Sequence, residues 1–471
     1  MTQTTRRRLL LVLAALCLLG VVAWRWVVAP RLDEIRIALG YASVIAASQA
    51  FITGDDLATI RAERLPPAAD FVTIELDASE GTATARAFGV FSRTARVRAG
   101  LGATRVADER VALPDELPDL VPTPPADRPW PEGSSPDLAP LAPGVDAAAL
   151  ARAIDAAFVD PDTGASLRTH AVLVVHDGRL VAERYRDGYD RFTPLLGWSM
   201  TKSITATLVG RLVQMGRLDV SAPAPVPAWS APDDPRRAIT LDDLLRMQSG
   251  LHFFTNYTRP DSDSLRMLFM SADAGAYAAE QTLEVAPGVR WSYSDGTSNI
   301  VAGIVCRASG STLRERCLAP QRLLFGPLGM DTAVIGVDGS GTFVGSSLMY
   351  ASARDWARVG QLYLDDGIWN DERLLPEGWV AYVTAPTAGV PRGRYGAHFW
   401  RFDATLDPDL APELAGVYHM SGYDGQEVFI VPSRRLVVVR LGLESPDAPF
   451  DARAFAASVI SGFPTAGVRR D

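Results

Sequence analysis

Short runs of apolar residues predict two β-hairpins, one at each end of the region 146–465. One hairpin covers 169–184 and the other covers 427–442, each with a short polar turn between its apolar runs. Apolar runs around such a turn are typical of antiparallel hairpins. Strands at both ends with helices between them predict one sheet whose edges come from the two termini of this domain.

Between the hairpins, the spacing of apolar residues predicts a helix over 199–217. Apolar side chains recur there every three or four positions, and Gly216 supplies a stop signal. A last helix is predicted over 451–462. The region 146–465 is therefore expected to be one large domain in which a sheet and helices share a core.

The first 30 residues have the pattern of a membrane anchor. Three arginines at 6–8 precede an uncharged, mostly apolar stretch. With Arg25 reaching toward the headgroups, Leu9 to Ala29 approaches the roughly 20 residues that a spanning helix needs. The positive-inside rule then predicts a single-pass protein of the bacterial inner membrane, held in the lipid bilayer with the large domain in the periplasm. A signal peptide cleaved after Ala29 is the alternative.

Two further regions separate this segment from the large domain. Residues 31–111 combine an apolar helical stretch with strand-like runs and predict a small α+β unit of unknown role. Residues 112–145 are rich in proline, which disfavours helices and strands, and predict an extended linker or wrapping segment. Residues 466–471 form a short tail.

Composition excludes several classes of function. The 471 residues are 48% hydrophobic and carry a formal net charge of -9, without a long basic run in the body of the chain, which argues against nucleic-acid binding. The five histidines never pair at metal-ligand spacing, so we expect neither a metal nor a cofactor. Cys306 and Cys317 could form one disulfide or remain two buried thiols.

The stretch Ser199-Met200-Thr201-Lys202 places a hydroxyl and an amine three residues apart at the start of the predicted helix. Positions i and i+3 share a helix face, so the two side chains point the same way. A serine hydroxyl becomes a strong nucleophile only when a neighbouring base removes its proton. The pattern favours a covalent serine hydrolase, although a serine cap followed by a lysine is its ordinary structural interpretation.

Trp291-Ser292-Tyr293-Ser294-Asp295-Gly296 supplies a second candidate, on a turn entering a helix. The phenol of Tyr293 can exchange a proton with Ser199 or with the leaving group, if Tyr293 lies beside Lys202. A partly buried aromatic ring with a locally bonded hydroxyl is the alternative.

A third motif, His419-Met420-Ser421-Gly422-Tyr423-Asp424-Gly425, completes an ordered set of S-x-x-K, Y-S-D and a glycine-containing strand. This set resembles the serine β-lactamase and penicillin-recognising superfamily over about 146–463. Segments 198–203, 244–251 and 422–426 are similar to its class C-like branch, the β-lactamase-related hydrolases that include 6-aminohexanoate-dimer hydrolases and family VIII esterases. The resemblance implies an α/β (α+β) fold in which helices flank an antiparallel sheet.

Carried over by position, the resemblance makes Ser199 the nucleophile, Lys202 its proton partner and Tyr293 the second acid or base. The backbone N–H groups of Ser199 and Tyr423, which follows Gly422, would form the oxyanion hole. Tyr257 resembles a tyrosine that lines the substrate cleft in such hydrolases, or it is an ordinary loop aromatic.

Two positions depart from the family pattern. Asp295 stands where relatives often have asparagine, and a carboxylate near Lys202 would hold the lysine as ammonium and shift the role of base toward Tyr293, unless Asp295 points away. Met420-Ser421-Gly422 stands where β-lactamases and DD-peptidases have Lys-Thr-Gly, so the cation that helps to bind a substrate carboxylate is missing. His419 could replace it when protonated or through a hydrogen bond, but a structural role is the stronger interpretation.

The sequence therefore predicts a membrane-anchored serine hydrolase that cleaves a small ester or amide through an acyl-enzyme at Ser199. A β-lactamase or DD-peptidase is the alternative within the same chemistry. A penicillin-binding-like sensor without turnover is the alternative outside catalysis, because fold alone does not establish chemistry.

Overall fold

The computed structural model describes residues 29–66, 69–115, 117–118, 121–444 and 449–465. The α-helices are α1 Ala29–Ser48, α2 Leu57–Glu63, α3 Ala147–Phe158, α4 Met200–Gln214, α5 Leu241–Leu245, α6 Asp263–Phe269, α7 Ala274–Ala279, α8 Asp295–Ser309, α9 Leu313–Cys317, α10 Gly326–Leu328, α11 Ala353–Leu364, α12 Trp379–Thr384 and α13 Ala452–Ser461. The strands are β1 Thr73–Asp77, β2 Thr82–Ala87, β3 Phe91–Arg98, β4 Gly102–Arg105, β5 Thr169–His176, β6 Arg179–Tyr185, β7 Leu195–Leu196, β8 Val334–Ile335, β9 Met349–Ala351, β10 Ile368–Trp369, β11 Glu372–Arg373, β12 Trp400–Arg401, β13 Tyr418–Gly422, β14 Gln426–Val431 and β15 Leu436–Gly442.

The largest sheet is antiparallel and has the strand order β12-β13-β14-β15-β5-β6. Both predicted hairpins are present, and β15 pairs with β5 to join them in one sheet. The expectation about the edges is wrong for one side, because β15 pairs centrally and the short strand β12 forms that edge. In the β5–β6 turn, Asp177 and Gly178 have φ values of 49° and 73°, the combination that a tight two-residue hairpin turn requires.

Helices cover both faces of this sheet, and the alternation of side chains along each strand divides the core. Val172, Val174 and Val438 pack beneath α3 and α13. Leu173, Val175 and Val439 face the opposite core, which contains apolar side chains of α4, α8 and α11. Because successive strand residues point to opposite faces, these continuous apolar runs contribute side chains to the cores on both faces of the sheet.

The N-terminal residues share the core of the large domain. Helix α1 lies on a four-stranded antiparallel sheet of order β1-β2-β3-β4, and its buried residues belong to the same apolar cluster as α4 and α8. The Tyr41 ring meets Phe269 of α6 edge to face at 5.2 Å between centroids. A Cβ atom on Gly40 would lie 2.2 Å from the Phe269 carbonyl oxygen, so only glycine permits this approach.

The helical stretch Arg31–Thr53 is the one helix, among the described residues, that is long and apolar enough to cross a membrane. However, 61% of its apolar window is buried inside the protein, as in a core helix. The predicted anchor at Leu9 to Ala29 lies outside the described residues, except for its last residue. By length and composition, the apolar helix near the N-terminus could belong to a signal sequence or to an anchor.

The proline-rich segment 121–145 wraps the surface of the large domain. The Trp130 ring is 3% exposed and its indole N–H donates to the Arg354 carbonyl of α11 at 3.2 Å. The Arg354 guanidinium donates in return to the Ser135 carbonyl at 2.9 Å. This segment is held by hydrogen bonds to α11 and by bonds within itself, such as that from the Ser135 N–H to the Arg128 carbonyl at 2.9 Å.

Cys306 and Cys317 are free and buried. Burial raises the pKa of the Cys306 thiol to about 12 and that of Cys317 to about 11. The structure therefore favours two buried thiols over one disulfide.

Candidate active site

Ser199 lies on a sharp turn that leads into α4. Its predecessor Trp198 has a φ of 45°, a left-handed conformation that costs a non-glycine residue on the order of 1–3 kcal/mol. Helix α4 begins at Met200 and ends at Gln214, which confirms the predicted helix with slightly narrower bounds. Ser199 is therefore the N-cap of α4, where unpaired N–H groups and the helix dipole favour negative charge.

The N-terminus of a second helix, α8, meets α4 at this point. The Ser294 hydroxyl caps α8 by accepting from the Thr297 N–H at 3.2 Å, so Asp295 is the first helical residue. A carboxylate at this position is favoured by the helix dipole. Helices α4 and α8 thus present Lys202 and Asp295 to each other.

The ammonium group of Lys202 has three hydrogen-bond acceptors around it. Its Nζ lies 3.0 Å from Ser199 Oγ, 2.6 Å from Asp295 Oδ1 and 2.9 Å from the Ser346 carbonyl oxygen. Both charged side chains are almost fully buried, with 2% exposure for Lys202 and 1% for Asp295. Three acceptors match the three N–H groups of an ammonium, and Asp295 points toward the lysine rather than away from it.

Electrostatics favour the charged form of this lysine. Burial lowers the pKa of Lys202, but Asp295 and Tyr293 outweigh burial and the pKa is raised. Lys202 is also the only lysine in a chain whose other side-chain cations, apart from histidines, are all arginines. Arginine is too wide and too basic to replace a compact amine that touches a hydroxyl, a carboxylate and a carbonyl together.

Tyr257 reaches the same group from the loop before α6. Its hydroxyl donates to Asp295 Oδ2 at 2.7 Å, while 46% of the residue stays exposed at the surface. Burial of the hydroxyl and the nearby Asp295 carboxylate raise the pKa of Tyr257. Tyr257 therefore remains a neutral donor. An unbroken series of hydrogen bonds links the side chains of Tyr257, Asp295, Lys202 and Ser199.

Tyr293 stands on the other side of Lys202, within an aromatic wall. Lys202 Nζ lies 4.9 Å from the centroid of the Tyr293 ring, a cation–π distance. The ring packs against Trp400 at 5.6 Å and Tyr395 at 5.9 Å between centroids. The structure thus brings Ser199, Lys202 and Tyr293 together at the junction of α4 and α8.

The end of β13 closes the site beside the turn that holds Ser199. A Cβ atom on Gly422 would lie 2.2 Å from the Gly197 carbonyl oxygen, so this strand approaches the turn as closely as glycine permits. The Tyr423 ring meets Trp198 edge to face at 6.1 Å and is 63% exposed. The backbone of Tyr423 follows directly on this contact with the turn that holds Ser199.

Two neighbouring residues of the same strand lie on opposite faces of the sheet and pack within the protein. The Met420 side chain is fully buried in the main core, so this position supplies no cation. His419 is stacked between Phe402 and Phe429, and its Nδ1 lies 2.7 Å from Glu427 Oε2. His419 therefore has a structural partner, and the predicted substrate-binding role has no support in this geometry.

Two features of the site escaped the sequence analysis. The Ser346 carbonyl is the third acceptor for Lys202, and Gly345 permits its approach because a Cβ there would lie 2.7 Å from Ala302 Cβ. The small residues Gly345-Ser346-Ser347 were the available signal. Tyr395 and Trp400 complete the aromatic wall from a loop distant in sequence, and no local pattern marks them.

No group of three or more His, Cys, Asp or Glu side chains in the described ranges could hold a metal ion.

Two converging helices present a serine at a helix N-cap, a charged lysine and a tyrosine that could act as acid or base. This arrangement is that of the serine β-lactamase fold class. The Beta-lactamase family model matches residues 154–459, and the chain belongs to this family. Its membership confirms the resemblance seen in the sequence, and the chain is a β-lactamase-family serine hydrolase.

Individual relatives agree with this assignment. The chain is 28% identical over 298 residues to the 6-aminohexanoate-dimer hydrolase of Paenarthrobacter ureafaciens, covering 58% of this chain and 72% of that enzyme. It is 31% identical over 215 residues to the esterase EstB of Burkholderia gladioli, covering 41% of this chain and 53% of EstB. A penicillin-binding protein homolog from Caulobacter crescentus has the same fold, with a TM-score of 0.53 and 19% identity over 69% of this chain and 99% of that chain.

Because the chain has one lysine, the charge of Lys202 can be measured directly. Protein grown with nitrogen-15-labelled lysine gives a single side-chain amine signal, which should report an ammonium throughout the neutral pH range. In Asp295→Asn the carboxylate that offsets burial is lost, so the pKa of Lys202 should fall below the ordinary lysine value. Asp146→Asn, which retains a good N-cap for α3, is the control and should leave the signal unchanged. An unchanged titration in Asp295→Asn would contradict the ion pair.

Proposed function

We propose that the protein cleaves a small ester or amide through an acyl-enzyme at Ser199. The observation that carries this proposal is the 3.0 Å contact between Ser199 Oγ and the amine of Lys202, which Asp295 holds at 2.6 Å. A structural N-cap has no need of a buried ion pair beside its hydroxyl, because burying two charges costs several kcal/mol per ion before pairing offsets it.

In the first step, Tyr293 accepts the proton of Ser199 and Ser199 Oγ attacks the carbonyl carbon of the substrate. Lys202 stays charged beside Asp295, so it stabilises Tyr293 in the deprotonated form that accepts this proton, and then the negative charge that develops on Ser199 Oγ. The backbone N–H groups of Ser199 and Tyr423 are the proposed donors to the oxyanion. Tyr293 then gives its proton to the leaving alcohol or amine, and the acyl group remains on Ser199 as an ester.

In the second step, water releases the acyl group. Tyr293 accepts a proton from the attacking water, and the oxyanion forms again in the same hole. Collapse of this intermediate breaks the bond to Ser199 Oγ, which recovers the proton from Tyr293. The acid product leaves and the site returns to its initial state.

The walls of the site favour a neutral acyl group of modest size. Met420 occupies the core position where penicillin-directed relatives have a cation, and Glu427 engages His419. Exposed and half-buried rings line the opening instead, including Tyr257, Tyr423 and Trp400. The names of the two curated relatives, a 6-aminohexanoate-dimer hydrolase and an esterase, support an ester or amide rather than a β-lactam.

We also propose that Leu9 to Ala29 anchors the protein in the bacterial inner membrane, with the hydrolase domain in the periplasm. Arginines at 6–8 on the cytoplasmic side support this orientation. Protease treatment of spheroplasts should digest the hydrolase domain while it stays with the membrane fraction. Release of the intact domain into the soluble fraction would indicate a cleaved signal peptide instead.

Turnover of a chromogenic short-chain ester by the full-length chain, followed by intact-protein mass spectrometry, tests the proposed chemistry. We expect steady turnover and an acyl adduct that disappears once the ester is consumed. A permanent adduct would indicate a sensor without turnover. Faster hydrolysis of nitrocefin or of a D-Ala-D-Ala peptide than of any ester or amide would favour the β-lactamase or DD-peptidase alternative.

A further inference from the structure

A surface cleft opens at the ends of α4 and α8 that lie farthest from Ser199. It encloses about 510 Å³ and is lined by residues from the last turns of both helices. Each helix has 15 residues, so at about 1.5 Å per residue the cleft lies on the order of 20 Å from the active site. The cleft is therefore a separate feature of the same two helices.

Four arginines dominate the lining of this cleft, which we call the arginine cleft. They are Arg211, Arg217, Arg307 and Arg322. The carbonyl oxygens of Leu323 and Leu374 accept hydrogen bonds from Arg211, and that of Ser309 accepts one from Arg322. The Pro225 and Ala308 carbonyls accept longer bonds from Arg307 and Arg217, at 3.3 and 3.5 Å.

These contacts fix the guanidinium groups without neutralising them. Within the described part of the chain, none of the four lies within ion-pair distance of a carboxylate. Other arginines that are similarly packed do have such partners, since Arg354 lies 2.6 Å from Glu183 and Arg358 lies 2.7 Å from Asp355. An excess of positive charge therefore remains in the arginine cleft.

The one acidic residue that lines the cleft, Glu315, is hydrogen-bonded to backbone N–H groups and forms no ion pair with the four arginines. Glu315 closes a capping box at the start of α9, where its Oε2 accepts from the N–H groups of Ser311 and Thr312 at 2.9 Å each. Burial lowers the pKa of both Arg211 and Arg307, as expected for partly buried cations without close counter-charges. Glu372 acts on Arg211 only as a more distant charge.

Guanidinium groups with unused donors suit a polyvalent oxyanion. Each arginine has five N–H donors, and the carbonyl contacts use one or two of them. Carbonyl acceptors, two of them in the last turn of α8, explain how the arginines are held, but not why four of them converge on one cleft. We propose that the arginine cleft binds a phosphate-bearing anion, either free or as the headgroup of an anionic phospholipid.

Calorimetry on the full-length chain at low salt tests this site with three probes. These are inorganic pyrophosphate, water-soluble dihexanoyl phosphatidylglycerol and the zwitterionic dihexanoyl phosphatidylcholine as the neutral lipid. We expect binding of pyrophosphate if the ligand is a free anion, and of phosphatidylglycerol alone if it is a headgroup. Affinity should fall as salt is added, because the attraction is electrostatic.

The variant Arg217→Gln/Arg322→Gln should weaken binding by about tenfold or more, since it removes two of the four cations. Arg152→Gln on α3 is the matched control, because Arg152 is exposed and lies outside the cleft. If the double variant loses its cooperative unfolding transition, the single Arg217→Gln variant replaces it, because Arg217 makes the longest of these contacts. No binding of either anion by the wild type, or equal affinity in wild type and variant, would overturn the proposal.

Discussion

Replacing Ser199 with alanine is expected to lower kcat for a short-chain ester by roughly 10⁴-fold or more, the usual cost of removing a catalytic nucleophile. The acyl adduct should disappear with it, because Ser199 Oγ is the serine hydroxyl that lies 3.0 Å from Lys202 Nζ. The substitution removes one oxygen atom from a half-buried side chain, so the thermal unfolding midpoint should change little. A stopped-flow or steady-state assay with p-nitrophenyl butyrate measures the effect.

Ser458→Ala provides the matched control for this variant. Ser458 is exposed on α13, which packs against the opposite face of the large sheet. Its substitution should leave both turnover and fluorophosphonate labelling at the level of the wild type. Unchanged turnover in Ser199→Ala would mean that the reaction uses another nucleophile, and it would remove the basis of the proposed function.

The large domain could be predicted well from sequence because its signals are local. The hairpins at 169–184 and 427–442 carry their own apolar runs and turns, and both exist. Which strands lie next to each other depends on contacts between distant residues. The pairing of β15 with β5 is such a contact, and it places the C-terminal hairpin inside the sheet rather than at its edge.

In the candidate site, too, the features encoded by local spacing could be predicted, whereas the contacts between distant residues could not. Ser199 and Lys202 share a helix face by spacing alone, and the sequence predicts what a carboxylate at Asp295 would do to Lys202, but not which way that carboxylate points. The contact from Tyr257 to Asp295 and that from Ser346 to Lys202 join residues that are 38 and 144 positions apart. No periodicity encodes such a contact, so these partners could only come from the structure.

The contacts of the N-terminal unit, residues 31–111, explain why its role could not be predicted from the sequence. Tyr41 packs edge to face on Phe269 of the large domain, and Arg64 Nη2 lies 3.4 Å from Nδ1 of His170. Desolvation lowers the pKa of His170 to about 4, so this histidine is neutral at physiological pH. A unit that contributes to a shared core through such long-range contacts leaves no motif of its own.

Replacing Tyr293 with phenylalanine is expected to lower kcat by about 10²- to 10⁴-fold, the range for loss of a general acid or base. The ring can keep its packing against Tyr395 and Trp400, so the loss should come from the missing hydroxyl rather than from disorder. Lys202 cannot take over as the base while Asp295 holds it as ammonium. The measurement is kcat for the same ester across a range of pH.

Two further variants separate this explanation from a structural one. Tyr395→Phe makes the same change in a buried neighbouring ring and should retain turnover. In Tyr293→Phe/Asp295→Asn, Lys202 loses the carboxylate that keeps it charged, so part of the activity should return as the pH rises and the lysine becomes a base. Nearly full activity in Tyr293→Phe alone would instead assign the base to Lys202, and the ion pair with Asp295 would then have to break during the reaction.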